Sequence, residues 1–213
     1  MLKRALLTIT PEVLRRERNI ILRLGSKAGP IYARLRLLDS IGLRSPVATP
    51  ANVRSFLFVC FGNIMRSPMA EALFRKSAMD AKLPVQVCSA GLHAIPGTPA
   101  HAWALSASQE IGLPLTEHRA QLLTPELVSQ VDVIFAMDFQ NKAELLALYP
   151  QHRSKVLMLG EYAEGATRGS EVPDPYYGNL DTTRNCYALL QSCIRNLITE
   201  LLRLTGKQGS DRT

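Results

Sequence analysis

The sequence predicts an α/β domain: a doubly wound four-stranded parallel sheet with helices on both faces, preceded by a helical N-terminal extension. Three observations carry this reading. Short runs rich in β-branched, aromatic or aliphatic residues, at 55–59, 85–88, 131–137 and 155–159, alternate with stretches of helical spacing, the pattern of βαβ units. The first of these runs breaks at Cys60 and resumes as a helix near Ser67-Pro68, so the first strand ends in a loop, and in such sheets that loop can lie at the switch point where ligands bind. Basic residues, finally, are concentrated ahead of that strand rather than spread along the chain.

The extension comes first in the chain. Residues 1–54 hold eleven Lys and Arg against Glu12, Glu17 and Asp39, a local balance of +8, while the other 159 residues carry 14 basic against 15 acidic side chains. The net charge of +7 therefore belongs to this segment. Thr10-Pro11 reads as a cap and first helical residue for 11–24, where Val13, Leu14, Ile20, Ile21 and Leu24 interleave with Arg15, Arg16, Arg18 and Arg23. A second amphipathic stretch covers 30–41, and Ser45-Pro46 with Thr49-Pro50 reads as a linker. Such helices offer a surface for anionic lipid, an acidic polymer or a protein partner, or they pack on the domain or on a second subunit. A targeting peptide is a further reading, against which serine occurs only at Ser26, Ser40 and Ser45. The expected division is 1–54 extension and linker, 55–204 catalytic domain, and 205–213 a polar disordered tail.

Between the first strand and the first domain helix lies the loop Cys60-Phe61-Gly62-Asn63-Ile64-Met65-Arg66-Ser67. Ser67-Pro68 reads as a capping hydroxyl followed by proline at the first helical position. A loop that enters a helix in this way turns its backbone N–H groups inward, where unpaired donors and the helix dipole favour an anion, here a phosphate. The two residue types at its ends fit that anion. A nucleophilic cysteine must be a thiolate, which a helix N-terminus and a guanidinium both favour, and arginine offers a planar pair of donors matching phosphate oxygens. Gly62 and Asn63 suit positive φ. Nucleotide hydrolysis is disfavoured because the loop lacks a Gly-Lys-Ser/Thr ending.

After the loop, residues 68–80 read as a helix and 85–88 as a strand, with Cys88 a small hydrophobe beside it. Residues 99–112 read as a helix around Trp103 and Leu105, Thr124-Pro125 opens another, and Asp138 caps the helix that follows the strand at 131–137. The segment 160–170 is expected to be mobile and delivers Val172-Pro173-Asp174-Pro175-Tyr176-Tyr177. A final helix over 181–204 places Cys186 and Cys193 on one face, where core packing is expected.

The loop resembles the signature of the low-molecular-weight protein tyrosine phosphatases, and further segments match that family in order: Ser89-Ala90-Gly91, His118-Arg119-Ala120-Gln121, Met137-Asp138 with Asn141, and Asp174-Pro175-Tyr176-Tyr177-Gly178-Asn179. The resemblance implies hydrolysis of phosphotyrosine through a cysteinyl-phosphate on Cys60, with Arg66 holding the phosphoryl oxygens and Asp174 as general acid. It implies substrate contacts from Phe61, Gly62, Asn63, Ile64, Met65 and Ser67, and an aromatic wall from Tyr176 and Tyr177. Leu92, His93 and Ile95 become candidate specificity residues, and His118 a support behind the loop. Leu92 and Ile95 depart from the threonine and tryptophan of many relatives, which implies a bacterial-type pocket with a less aromatic wall.

No cofactor or metal is implied. Expected partners are phosphotyrosyl proteins, such as a bacterial tyrosine kinase or an exopolysaccharide-export protein, with no nucleic acid, and self-association is left open. Two alternatives stand beside this reading: arsenate reduction on the same fold, for which Cys186 and Cys193 would have to act as relay thiols, and a catalytically idle phosphoprotein-binding module. Four cysteines without a Cys-x2-Cys pair, and no apolar run near ~20 residues, point to a reducing compartment and no membrane span, hence the cytoplasm. Because every assigned catalytic group lies beyond residue 54, the extension is expected to be separable from the chemistry.

Overall fold

The computed structural model describes residues 11–43, 49–50, 52–165 and 171–210, with side chains described as far as 205. The helix cap expected at Thr10, the linker residues Ser45-Pro46 and the last part of the expected mobile loop lie outside them. Four parallel strands, β1 (Ser55–Cys60), β2 (Gln86–Gly91), β3 (Val133–Ala136) and β4 (Val156–Met158), form one sheet in the order β2-β1-β3-β4. The order reverses at β1, so the loop leaving β1 sits at the switch point, as expected.

The strands are buried on both faces except at Ser55 and over Gln86–Cys88, the outer half of β2, and the alternation of β1 shows how two cores share one element. Phe56, Phe58 and Cys60 join a core made with α2 (Arg66–Asp80), α3 (Ala102–Glu110) and α6 (Leu180–Ser210). Leu57 and Val59 face the opposite core with α4 (Pro125–Gln130) and α5 (Phe139–Leu148). On the first face the rings of Phe58 and Phe135 stack at 5.4 Å, and Phe74 meets Phe56 at 4.8 Å. Burying rings of this size supplies much of the apolar driving force.

Several boundaries differ from the sequence reading. The helix around Trp103 is shorter, at Ala102–Glu110, because His101 caps it by accepting from the Trp103 N–H at 3.2 Å. The last helix continues to Ser210 rather than ending at 204, so the expected disordered tail is helical up to that residue. Thr124 caps α4 as expected, accepting from the Leu127 N–H at 3.3 Å.

The extension folds against the domain. Its helix α1 (Pro11–Ser40) is interrupted at Gly25, whose φ of 71° and ψ of −168° reverse the chain into a two-armed hairpin. The arms meet where Gly29 passes Ile21: a Cβ at Gly29 would lie 2.6 Å from the Ile21 carbonyl oxygen. One turn further along, Tyr32 Oη donates to Glu17 at 2.8 Å and Arg36 bonds the same carboxylate at 3.0 Å. Burial, with Glu17 adding to it, raises the Tyr32 pKa above its ordinary value, so that hydroxyl stays a donor. Ala28 and Tyr32 enter the core shared with α5.

Gly29→Ala tests this packing. In an open helix the change stabilises by up to ~1 kcal/mol. Here the new methyl meets backbone, so a net loss of about 1–3 kcal/mol is expected by chemical denaturation.

Candidate active site

Cys60 ends β1 and Arg66 begins α2, so residues 61–65 form the connecting loop. Five main-chain carbonyls, from Cys60 and the loop after it, are bound from outside the loop. Leu92 N–H donates to the Cys60 oxygen at 3.0 Å, His93 N–H to Phe61 at 2.8 Å and His101 N–H to Ile64 at 3.0 Å. His118 Nε2 lies 2.7 Å from the Asn63 oxygen and must carry the proton there, while Tyr187 Oη donates to Met65 at 3.2 Å. With the carbonyls of Cys60, Phe61, Asn63, Ile64 and Met65 turned outward, the N–H groups of the same trans peptides point the other way, and the N–H of Asn63 lies 3.3 Å from Sγ. The result is an anion nest at a helix N-terminus.

Asn63 holds the shape. It takes the positive φ of the loop, 53°, whereas Gly62 does not. Its fully buried side chain donates to Ser67 Oγ at 2.8 Å and Ser89 Oγ at 2.9 Å and accepts from the Gln121 N–H at 2.8 Å. Ser89 passes the network on by donating to Glu71 at 2.6 Å. Ser67 is not the helix cap that the sequence suggested: Met65 occupies that position without a side-chain bond, and Ser67 and Pro68 lie inside the first turn. The Ser67 hydroxyl is instead 3.0 Å from Cys60 Sγ.

Arg66 is the buried charge of the site, 2% exposed. Nη1 bonds Asp138 at 2.6 Å and the Val172 carbonyl at 3.1 Å, and Nη2 bonds Asp174 at 2.6 Å. Burial opposes the cation, but Asp138, then Asp174 and Cys60, outweigh it, and the guanidinium pKa stands above its ordinary value. Asp138 also caps α5, accepting from the Asn141 N–H at 2.7 Å. Sequence reasoning assigned it the cap and missed the ion pair. Its place at the carboxyl end of β3, beside β1, was the available signal.

The cleft above Cys60 is lined by Phe61, Gly62, Ile64, Met65, Arg66, Ile95, Asp174, Tyr176 and Tyr177, so these expected residues are brought together. Asn63 and Ser67, expected to touch substrate, do not line it: both are fully buried behind the nucleophile. Leu92 is core, while His93 lies at the mouth under Phe61, with ring centroids 4.6 Å apart. Tyr176 packs edge-on to Tyr177 at 5.0 Å.

The opposite wall was not foreseen. Arg15, Arg16, Arg23 and Arg36 of α1 line the same cleft, and Arg36 bonds Glu171 at 3.2 Å. Glu171 in turn accepts from the Phe139 N–H at 2.8 Å, next to Asp138. The extension is thus tied to the segment that carries Asp174, rather than standing apart from the site. Cys186 and Cys193 are buried in the core, and burial pushes each thiol up to about 12. Among the described residues no group of His, Cys, Asp and Glu is placed to hold a metal ion, and no helix is long and apolar enough to cross a membrane.

Gly91, at the end of β2, sets the loop's clearance. A Cβ there would lie 2.8 Å from Asn63 N, Gly62 C and Phe61 O, all backbone. Gly91→Ala should displace the nest and lower kcat/KM for an aryl phosphate by more than about tenfold in a folded protein, since small misplacements at a reacting centre cost about that much or more. Steady-state kinetics beside a thermal melt would check it.

The family model described as "Low molecular weight phosphotyrosine protein phosphatase" matches residues 55–207 and leaves the extension outside. The probable low molecular weight protein-tyrosine-phosphatase EpsP of Ralstonia nicotianae is 39% identical over 140 residues, covering 65% of this chain and 90% of that protein. The protein-arginine-phosphatase of Bacillus subtilis is 37% identical over 145 residues, covering 68% and 95%. The crystal structure of a YwlE mutant from Bacillus subtilis superposes with a TM-score of 0.65 at 37% identity, covering 70% of this chain and 98% of that one.

Proposed function

Because this chain belongs to the low molecular weight phosphotyrosine protein phosphatase family, we propose that it hydrolyses phosphotyrosine in proteins through a cysteinyl-phosphate intermediate. The observation that carries this reading is the Cys60 loop with its carbonyls turned outward, closed by Arg66 and within reach of Asp174. The Cys60 thiolate attacks phosphorus, the P–O bond to the phenol breaks, and Asp174 gives the leaving oxygen its proton. Water then attacks phosphorus as Asp174 takes its proton, the P–S bond breaks, and inorganic phosphate leaves. The inward N–H groups and Arg66 hold the equatorial oxygens throughout, by positioning rather than by reorganisation. A bound phosphoryl group takes over the Arg66 donor that Asp174 otherwise holds, which frees Asp174 for the leaving oxygen.

The wall beside the nucleophile favours an aryl ester over a phosphorylated guanidine. Phe61, Ile64 and Ile95 are apolar and suit a phenyl ring better than the polar N–H groups of phosphoarginine. Phosphotyrosine should be turned over in preference to phosphoarginine. Arsenate reduction is not favoured, because Cys186 and Cys193, pushed up to about 12, are protonated and buried and make poor relay thiols. Within the phosphoprotein class, we propose a bacterial tyrosine kinase or an exopolysaccharide-export protein as substrate. A Cys60→Ser form should retain phosphotyrosyl proteins from an extract. Equal recovery with a Cys60→Ser, Arg66→Ala form would place that capture outside the site.

Asp174→Asn tests the acid. Proton donation to a leaving group is worth about 10²–10⁴-fold, and a phenol of pKa ~10 needs it more than an activated aryl phosphate does. In single-turnover phosphorylation of Cys60, phosphotyrosine should therefore lose far more rate than the activated ester. Equal losses would remove Asp174 from the role.

A further inference from the structure

The cleft is larger than the reaction requires. At about 1260 Å³ it exceeds the roughly 300–1,000 Å³ that holds a whole small ligand. One wall is the phosphate nest with the Tyr176 side. The other belongs to α1, a segment outside the residues that match the family.

That second wall is fixed in place. Its arms close at Gly29 and Ile21, Tyr32 is buried against Glu17, and Arg36 lies 5.8 Å from the centre of the Phe139 ring while bonding Glu171. Its charges divide into two groups. Arg36 is neutralised between Glu17 and Glu171, at 3.0 and 3.2 Å. Arg15 and Arg16 are exposed on the cleft, and Arg23 donates to the uncharged Gln140, so all three keep their charge toward the opening. Glu12 and Asp39 are the acids on the same wall, fewer than these arginines. The nest, which already requires an anion at the bottom, and the arginine row above it face the same space.

From this juxtaposition we propose that the N-terminal hairpin is a specificity element for the phosphotyrosine reaction, and that its occupant is a substrate segment carrying acidic residues beside the phosphotyrosine. The proposal rests on the phosphotyrosine reading. Arg15, Arg16 and Arg23 read the flanking carboxylates while the ring and phosphate descend between Ile64 and Tyr176 to Cys60. The recognition is by long, exposed side chains, so it is modest per contact and screened by salt.

The test uses the full chain and three substrates: free phosphotyrosine, a phosphotyrosyl peptide flanked by Asp and Glu, and the same peptide with Asn and Gln in their place. Wild type should favour the acidic peptide over the neutral one in kcat/KM, and raised salt should shrink the preference. Arg15→Gln with Arg16→Gln should reduce that ratio by about three- to tenfold, in line with the small worth of exposed charge contacts. Arg18→Gln, exposed on the same helix and not lining the cleft, should leave the ratio at its wild-type value. No preference in wild type, or one that survives the double substitution, would overturn the proposal. So would an unchanged ratio accompanied by loss of binding to phosphatidylserine vesicles, which would assign the arginines to a membrane surface. Failure of wild type to turn over free phosphotyrosine would strike the reading of the site itself, a separate outcome seen in the first substrate.

Discussion

The site is organised by a guanidinium kept charged at the start of the helix that follows a buried strand. Removing a charge from water is costly, and leaving one partner of a buried pair alone costs about 3–5 kcal/mol. Arg66 therefore has to be met by anions and carbonyls wherever the fold puts it. It is met from two distant parts of the chain, by Asp138 after β3 and by Val172 and Asp174 ahead of α6. Those bonds fasten the β3–α5 junction and the acid-bearing segment to the nucleophile's loop. The two carboxylates differ in exposure, with the Asp138 side chain at 13% and that of Asp174 at 41%. The buried one is closed in behind the guanidinium, and the more open one faces the cleft.

The second constraint is the direction of the loop's peptide groups. A nest of N–H donors works only if the carbonyls on the other side of the same peptides are satisfied elsewhere. Donors reach them from the β2 end, from the His101 cap, from His118 and from Tyr187 of α6. The cost of an inward-facing donor set is met during folding, so no reorganisation is needed when charge develops on phosphorus. Asn63 is the corner of this arrangement because asparagine tolerates positive φ and its amide can donate twice and accept once at the same place.

What could be read from the sequence was whatever local pattern decides. The strand runs, the Cys60 and Arg66 spacing and the Thr124 and Asp138 caps are short-range features, and all stand in the structure. Ser67 was misread because a serine before a proline is a good cap in isolation, whereas here the helix starts two residues earlier and the hydroxyl turns to the sulfur. Asn63 and Ser67 were placed among the substrate contacts because position in the loop does not reveal which way a side chain faces. The ion pair from Asp138 to Arg66 spans 72 residues, and the pair from Arg36 to Glu171 spans 135. No periodicity reports contacts of that separation.

The extension shows the same limit from the other side. Its two basic, amphipathic stretches left a lipid or partner surface and packing on the domain as open readings, and composition alone could not say that Gly25 folds them into a hairpin or that Tyr32 enters a core. Once folded, one arginine is consumed as structure and the others are left facing the cleft. Arg36 grips Glu171, Glu171 accepts from the Phe139 N–H, and the neighbouring Asp138 holds Arg66, so the segment outside the family match is mechanically continuous with the counter-ion of the site. The two walls of the cleft thus come from different parts of the chain. Cys60, Arg66 and Asp174 lie within the matched domain, as do the rings of Phe61, Tyr176 and Tyr177, whereas Arg15, Arg16 and Arg23 on the facing wall come from the helices in front of it.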